Sequence, residues 1–114
     1  MTAQTKDLGY VHRVLDNWRG RSVFVRERGA GYTDAYIAVI DDQLLYWEDE
    51  EAIEEDSGVF RSDMVLLMYL RTEAGRKKVF GYADGLVSAE VGDSVVSFEF
   101  SHDVVAYTIA LISS

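Results

Sequence analysis

Carboxylates are concentrated in one segment of this 114-residue chain. Ten of its twenty acidic residues lie between Asp41 and Asp63, where Arg61 is the single base. This acidic segment, residues 41–63, therefore has a formal charge of −9, which equals the net charge of the whole protein. Carboxylates at this density can attract a cationic surface or bind a hard metal ion.

Docking on a basic protein surface is the first of these two chemistries. The stretch from Trp47 to Asp56 places an aromatic residue beside the carboxylates, and interface energy is usually concentrated in aromatic residues ringed by polar groups. The candidate partner-binding residues are Trp47, Glu48, Asp49, Glu50, Glu51, Glu54, Glu55 and Asp56. The alternative interpretation is a solvated loop whose charge serves only solubility.

Metal binding is the second chemistry, and the spacing of the carboxylates does not favour it. The acidic segment lacks the alternating aspartates, turn glycine and distal glutamate of a calcium-binding EF-hand loop. His12 and His102 have no second ligand at a zinc spacing, and the chain contains no cysteine. We therefore expect no metal and no cofactor.

Catalytic patterns are also missing from the sequence. His12 and Asp16 are four residues apart on a predicted helix and could form an acid–base pair, although such pairs are usually surface decoration. The loop from Glu27 to Thr33 has two glycines, but a strand follows it and Asp34 adds negative charge, which favours a flexible hairpin loop over a phosphate site. No Gly-x-Ser-x-Gly motif is present. We predict that the protein is not an enzyme.

Charge and hydropathy also narrow the range of partners and locations. Nucleic acids and anionic membranes both require cationic surface, so the acidity argues against either as a direct partner. The longest apolar run, 64–70, is seven residues and too short for a membrane span. Residues 1–7 lack the pattern of a secretory signal, so we expect a cytoplasmic protein. Basic residues within 13–28 and 76–78 leave room for self-association through opposite charges.

Hydrophobic periodicity predicts one domain, 1–114, with an N-terminal helix followed by strands. The helix is expected from Asp7 to Arg19, with Thr5 or Asp7 as its cap and Gly20 after its end. Asp41-Asp42 and Asp84-Gly85 are predicted as tight hairpin turns between neighbouring strands. The strands are predicted at 22–28, 35–40, 43–48, 64–72, 77–83, 86–91 and 94–100.

The last element, 104–112, has two interpretations. Its β-branched and aromatic residues favour a strand, which gives an eight-stranded closed or nearly closed barrel with the helix over one opening. A helix at 101–112 instead gives a pleckstrin-homology-like roll, and the stretch from Tyr36 to Glu48 resembles the second hairpin of such rolls. We predict a mainly β (α+β) fold in which the N-terminal helix joins an antiparallel meander of seven or eight strands, forming a small barrel or roll.

These features predict a non-catalytic interaction module whose acidic segment docks on a basic partner surface. Small inhibitors, immunity proteins and proteins that mimic nucleic-acid charge use the same physics. Two alternatives are a structural subunit of an assembly, such as a viral particle, and a carrier of a small apolar ligand inside a barrel.

Overall fold

The structure is a computed structural model that describes residues 3–5, 7–47, 64–82, 85–101 and 105–112, with backbone alone at 3, 42–47, 64–65 and 82. These residues form one α-helix and eight β-strands. In chain order the elements are β1 (Ala3–Thr5), α1 (Leu8–Asp16), β2 (Ser22–Gly29), β3 (Tyr32–Trp47), β4 (Met64–Thr72), β5 (Gly75–Tyr82), β6 (Leu86–Val91), β7 (Val95–Phe100) and β8 (Val105–Leu111).

All eight strands belong to one antiparallel sheet with the order β1-β6-β7-β8-β2-β3-β4-β5. Strands β2–β5 form one meander and β6–β8 form another, and the pairing of β2 with β8 joins them. Among the described strands, β1 and β5 are the two edges, so the sheet is open. The mainly β prediction is confirmed, and a barrel closed by hydrogen bonds is not formed. The described residues contain no helix long and apolar enough to cross a membrane.

The last element is a strand, as its β-branched residues favour. Strand β8 pairs on one side with β7, where Phe98 is opposite Tyr107, and on the other with β2, where Val25 is opposite Ile109. The alternative helix at 101–112 is therefore wrong over 105–111, and the C-terminal helix of a pleckstrin-homology-like roll is not formed there. Two strand partners satisfy the backbone groups that a helix would have satisfied internally.

Two predicted hairpin turns are wrong. Strand β3 continues through Asp41-Asp42, and a register shift between Ile40 and Asp42 absorbs the extra residue as a bulge. Across Asp84-Gly85 the flanking strands separate, because β5 pairs with β4 and β6 pairs with β7. The chain instead reverses at Glu73-Ala74, between β4 and β5. A short polar pair permits a turn, but the neighbouring strand decides whether the chain turns there.

Local signals at the ends of α1 are confirmed. The Asp7 carboxylate accepts a hydrogen bond from the Gly9 amide at 2.9 Å, and the Thr5 hydroxyl accepts one from the Asp7 amide at 2.9 Å. The helix ends at Asp16, three residues before the predicted end at Arg19, and turns continue to Gly20, whose φ of 83° favours glycine. The Gly20 amide donates to the Ile40 carbonyl at 2.7 Å, which ties the end of the helical region to β3.

The sheet curls around α1, which packs against both β3 and β6 although three strands separate them in the sheet. The Phe100 ring on β7 occupies the space that a Cβ on Gly81 of β5 would take, so these strands meet across the interior without pairing. Buried side chains from the helical region and the strands fill the core, including Leu8, Val11, Leu15, Trp18, Val23, Val25, Ile40, Leu66, Met68, Leu70, Phe98, Phe100 and Ile109.

Candidate interaction surfaces

The acidic segment is attached at one end of two paired strands. Trp47, the last residue of β3, is opposite Met64, the first residue of β4. Trp47 is described by its backbone alone, and the other predicted partner-binding residues lie outside the described residues: Glu48, Asp49, Glu50, Glu51, Glu54, Glu55 and Asp56. Because Trp47 and Met64 are paired, the chain between them leaves the sheet and re-enters it at the same place.

Asp41, the first carboxylate of the acidic segment, belongs to the scaffold. It lies at the bulge of β3, and its Oδ1 and Oδ2 are each 3.4 Å from a guanidinium nitrogen, of Arg71 and Arg76 respectively. The Arg76 guanidinium also lies 4.4 Å from the centroid of the Tyr69 ring. These contacts compensate the charge of Asp41 within the molecule, which leaves nine carboxylates in residues 42–63.

Two other arginines, Arg26 and Arg28, lie far along the sheet from Trp47, after which the run of carboxylates begins. Arg26 is opposite Ala35 on β3, and twelve residues separate Ala35 from Trp47. At about 3.3 Å per residue, this distance is roughly 35–40 Å along the strand. Glu51 is four residues beyond Trp47, and a chain of that length reaches at most about 14 Å. Measured along β3, the position opposite Arg26 is therefore farther from Trp47 than the four residues to Glu51 can extend.

Lys78 and Arg61 lie nearer to the acidic residues. Lys78 is opposite Tyr69, which is itself opposite Asp42, and Arg61 is within the acidic segment by sequence. By sequence, residues 42–63 hold nine carboxylates against these two positive charges.

A second polar group lies near the turn that joins β2 and β3. The Glu27 carboxylate accepts hydrogen bonds from the hydroxyls of Tyr32 at 2.7 Å and Tyr36 at 3.1 Å. Lys77 Nζ lies 3.9 Å from Glu27 Oε1, 3.4 Å from Asp34 Oδ2 and 4.2 Å from the centroid of the Tyr36 ring. We call these five residues the tyrosine–glutamate cluster.

The groups of this cluster are suited to holding strands together and not to acid–base catalysis. Burial, followed by the neighbouring Glu27, raises the pKa of Tyr36 above the usual range of a tyrosine, so its hydroxyl keeps the proton that it donates. The Glu27 side chain is only 15% exposed and has hydrogen-bond partners on both oxygens. A protonated phenol and a carboxylate with its oxygens engaged are poor general bases. The cluster instead links the β2–β3 turn to β5.

This cluster differs from the prediction of a flexible loop from Glu27 to Thr33. Cross-strand pairing of Glu27 with Asp34 could have been anticipated once Ala30-Gly31 was recognised as the turn. The approach of Lys77 from β5 could not, because it depends on how far the sheet curls.

The predicted pair of His12 and Asp16 is dominated by burial. Partial burial lowers the pKa of His12, and the negative charge of Asp16 opposes this effect without reversing it. The Asp16 carboxylate itself is bound by Arg19. His102 lies outside the described residues. Within the described part of the chain, no group of three or more His, Cys, Asp or Glu residues is arranged to hold a metal ion.

No protein-family model, curated protein or solved structure matches this chain. Function is therefore inferred from its own residues.

Proposed function

We propose that this protein is a non-catalytic interaction module, a small open roll whose acidic segment docks on a basic protein surface. The observation that carries this proposal is the pairing of Trp47 with Met64. It attaches the chain between Trp47 and Met64 at one end of the sheet, roughly 35–40 Å along β3 from the position opposite Arg26.

Electrostatic attraction from such an end would act mainly on the rate of association. A localised negative potential steers a cationic partner during its approach, and salt screens that attraction. Trp47 stands in the chain directly before the run of carboxylates, where an aromatic anchor could contribute affinity that charge alone does not.

The carrier alternative receives less support from the packing. Trp18, Phe98 and Phe100 are at most 6% exposed and, with the other buried side chains, occupy the space enclosed by the curled sheet. An apolar ligand inside the described core would have to displace them. The assembly alternative is favoured by a different observation, the exposed apolar side chains of Phe24 on β2 and Ile37 on β3.

The proposal is tested by neutralising the acidic segment. A quadruple variant carries Glu50→Gln, Glu51→Gln, Glu54→Gln and Glu55→Gln, and is compared with the wild type in pull-downs of basic proteins from host extract at low salt. The matched control makes the same change in net charge elsewhere, through Glu73→Gln, Glu90→Gln, Asp93→Asn and Glu99→Gln.

Affinities of the retained protein are then measured by calorimetry across a salt series. Exposed ion pairs contribute roughly 0.2–1 kcal/mol each, so we expect the loss of four to weaken binding about fourfold or more and to make its salt dependence shallower. The control should bind like the wild type. Equal affinity of the quadruple variant and the wild type would refute the proposal.

A further inference from the structure

A polar cavity of about 350 Å³ lies on the outer face of the sheet, the side away from the core, where β1, β6, β7, β8 and β2 are neighbours. Its charged side chains come from positions that alternate with buried residues. Glu99 follows the buried Phe98 on β7, and Arg28 is separated by one residue from Arg26, which is also exposed. The cavity is therefore separate from the hydrophobic core and open to solvent.

The strand register explains why opposite charges line this one cavity. Glu99 on β7 is opposite Ala106 on β8, and Ala106 is opposite Arg28 on β2. The short side chain of Ala106 leaves a gap between the other two residues, which are two strand spacings, or about 10 Å, apart. Neither Glu99 nor Arg28 forms an ion pair with another described residue. Within the described part of the chain, both charges are available to a ligand.

Glu90 supplies a second carboxylate to the cavity. It lies on β6 opposite Ser97 of β7, which makes it a diagonal neighbour of Glu99 at roughly 7–8 Å. Gln4 on β1 is opposite Glu90, and its side-chain amide donates a hydrogen bond to Glu90 Oε2 at 3.4 Å. This bond helps to hold the carboxylate beside the cavity.

Small polar side chains form the floor between the charged groups. The Ser97 hydroxyl donates a hydrogen bond to the Thr108 hydroxyl at 3.2 Å. A register shift between Leu86 and Ser88 marks an irregularity in β6 beside Glu99, and bulges of this kind bend a strand. Concave sites with a few convergent polar groups are typical of small-molecule binding.

The charges of the cavity select the class of ligand. Two carboxylates and one guanidinium line it, so a simple anion would meet Glu90 and Glu99, and a simple cation would meet Arg28. The described residues also provide no group of three or more metal ligands. A molecule with one carboxylate and two ammonium groups compensates all three charges through charge-assisted hydrogen bonds. Basic amino acids have this composition.

We propose that this cavity binds a free basic amino acid, for which lysine is the probe. Its α-carboxylate pairs with Arg28 and its α-ammonium pairs with Glu99, and two hydrogen bonds of about 2.9 Å with the head group between them fill most of the gap over Ala106. Its ε-ammonium pairs with Glu90, since an extended lysine side chain is comparable in length with the separation of the two glutamates. The site includes no residue of the acidic segment, so this inference does not depend on the proposed function.

Lysine binding is measured by NMR on the ¹⁵N-labelled full chain at physiological salt, which screens weak attraction to other carboxylates. Lysine should cause saturable shifts of the Ser97, Glu99 and Ala106 amides in the millimolar range. Cadaverine keeps two ammonium groups and lacks the carboxylate, so it should bind about fivefold or more weakly.

Two variants test the roles of the charged residues. Arg28→Gln should weaken lysine binding about fivefold or more without weakening cadaverine binding, because only lysine offers a carboxylate. A variant that failed to fold would lose both ligands, so this contrast separates binding from stability. Glu99→Gln should weaken both ligands. The matched controls Arg21→Gln and Glu73→Gln remove exposed charges outside the cavity and should bind lysine like the wild type.

The inference would be overturned by the absence of saturable shifts in the millimolar range, or by shifts confined to the acidic segment. Equal affinity for lysine and cadaverine would also refute it, as would lysine binding that Arg28→Gln leaves unchanged. The proposed function fails or holds separately. The charge control of the pull-down contains Glu90→Gln and Glu99→Gln, so it should lose lysine and still bind the basic partner.

Discussion

Gly81 on β5 is the position where a single added carbon should test the curl of the sheet. A Cβ there would overlap the ring of Phe100, which is 1% exposed and cannot leave without opening the core. Overpacking a filled core costs about 1–3 kcal/mol, whereas replacing glycine by alanine restricts the unfolded chain and returns about 0.4–1 kcal/mol. We therefore expect Gly81→Ala to lower the free energy of unfolding by about 1–2 kcal/mol.

Urea denaturation followed by circular dichroism measures this loss, and thermal melting should show a decrease in Tm of roughly 4–8 °C per kcal/mol. The matched background is Phe100→Leu, which removes the ring from the contested space. In that background Gly81→Ala should be neutral or stabilising, so a double-mutant cycle should give a coupling of at least about 1 kcal/mol. If Gly81→Ala is harmless while Phe100 is present, β5 does not approach β7 in the way argued above.

Two further predictions concern titrating side chains. Glu27→Gln should lower the pKa of Tyr36 towards its ordinary value, because it removes a negative charge while leaving the burial. Because the pKa of Tyr36 is raised in the folded state, the wild type should lose stability as pH rises above about 10, where the tyrosine of the unfolded chain ionises. The variant should lose less stability over the same range. NMR of ¹³C-labelled tyrosine measures the pKa, and urea midpoints from about pH 8 to 11 measure the stability. The pKa of His12 should lie below 6.5, because partial burial disfavours the charged imidazolium. The stability that depends on neutral His12 is therefore present above pH 6.5 and is lost as pH falls through the folded-state pKa. An NMR titration that gives a pKa above 6.5 would mean that the charge of Asp16 outweighs burial.

Strand positions and helix ends were largely predictable from the sequence. Met64–Thr72 and Leu86–Val91 were predicted with the bounds that β4 and β6 have, because an apolar or alternating run bounded by polar or glycine-containing stretches is a local signal. Asp7 and Gly20 also act locally, as a cap and as a residue with positive φ. The concentration of charge in 41–63 is likewise a property of the sequence alone.

Strand partners were less predictable. The eight strands observed are not the eight of the barrel prediction, because two predicted strands merge into β3 and the short β1 was not anticipated. The strong turn signal at Asp84-Gly85 did not pair the strands on either side of it. Residues that favour a turn lower the free energy of reversing the chain. Strand pairing, however, depends on which surfaces can be buried together, and those surfaces are distant in sequence.

The sequence by itself determined how charge is distributed in this protein: residues 41–63 carry a formal charge of −9, and the charges of the other residues cancel. It also determined the short elements in which apolar and polar positions alternate. Only the tertiary structure decided that Trp47 and Met64, which flank most of this segment, are paired, that Asp41 is compensated by two arginines, and that Phe24 and Ile37 meet on the outer face. The physical reason is the separation in sequence between the residues that each property depends on. Charge content and periodicity are carried by neighbouring residues, whereas these contacts join residues brought together by a sheet that curls around a helix.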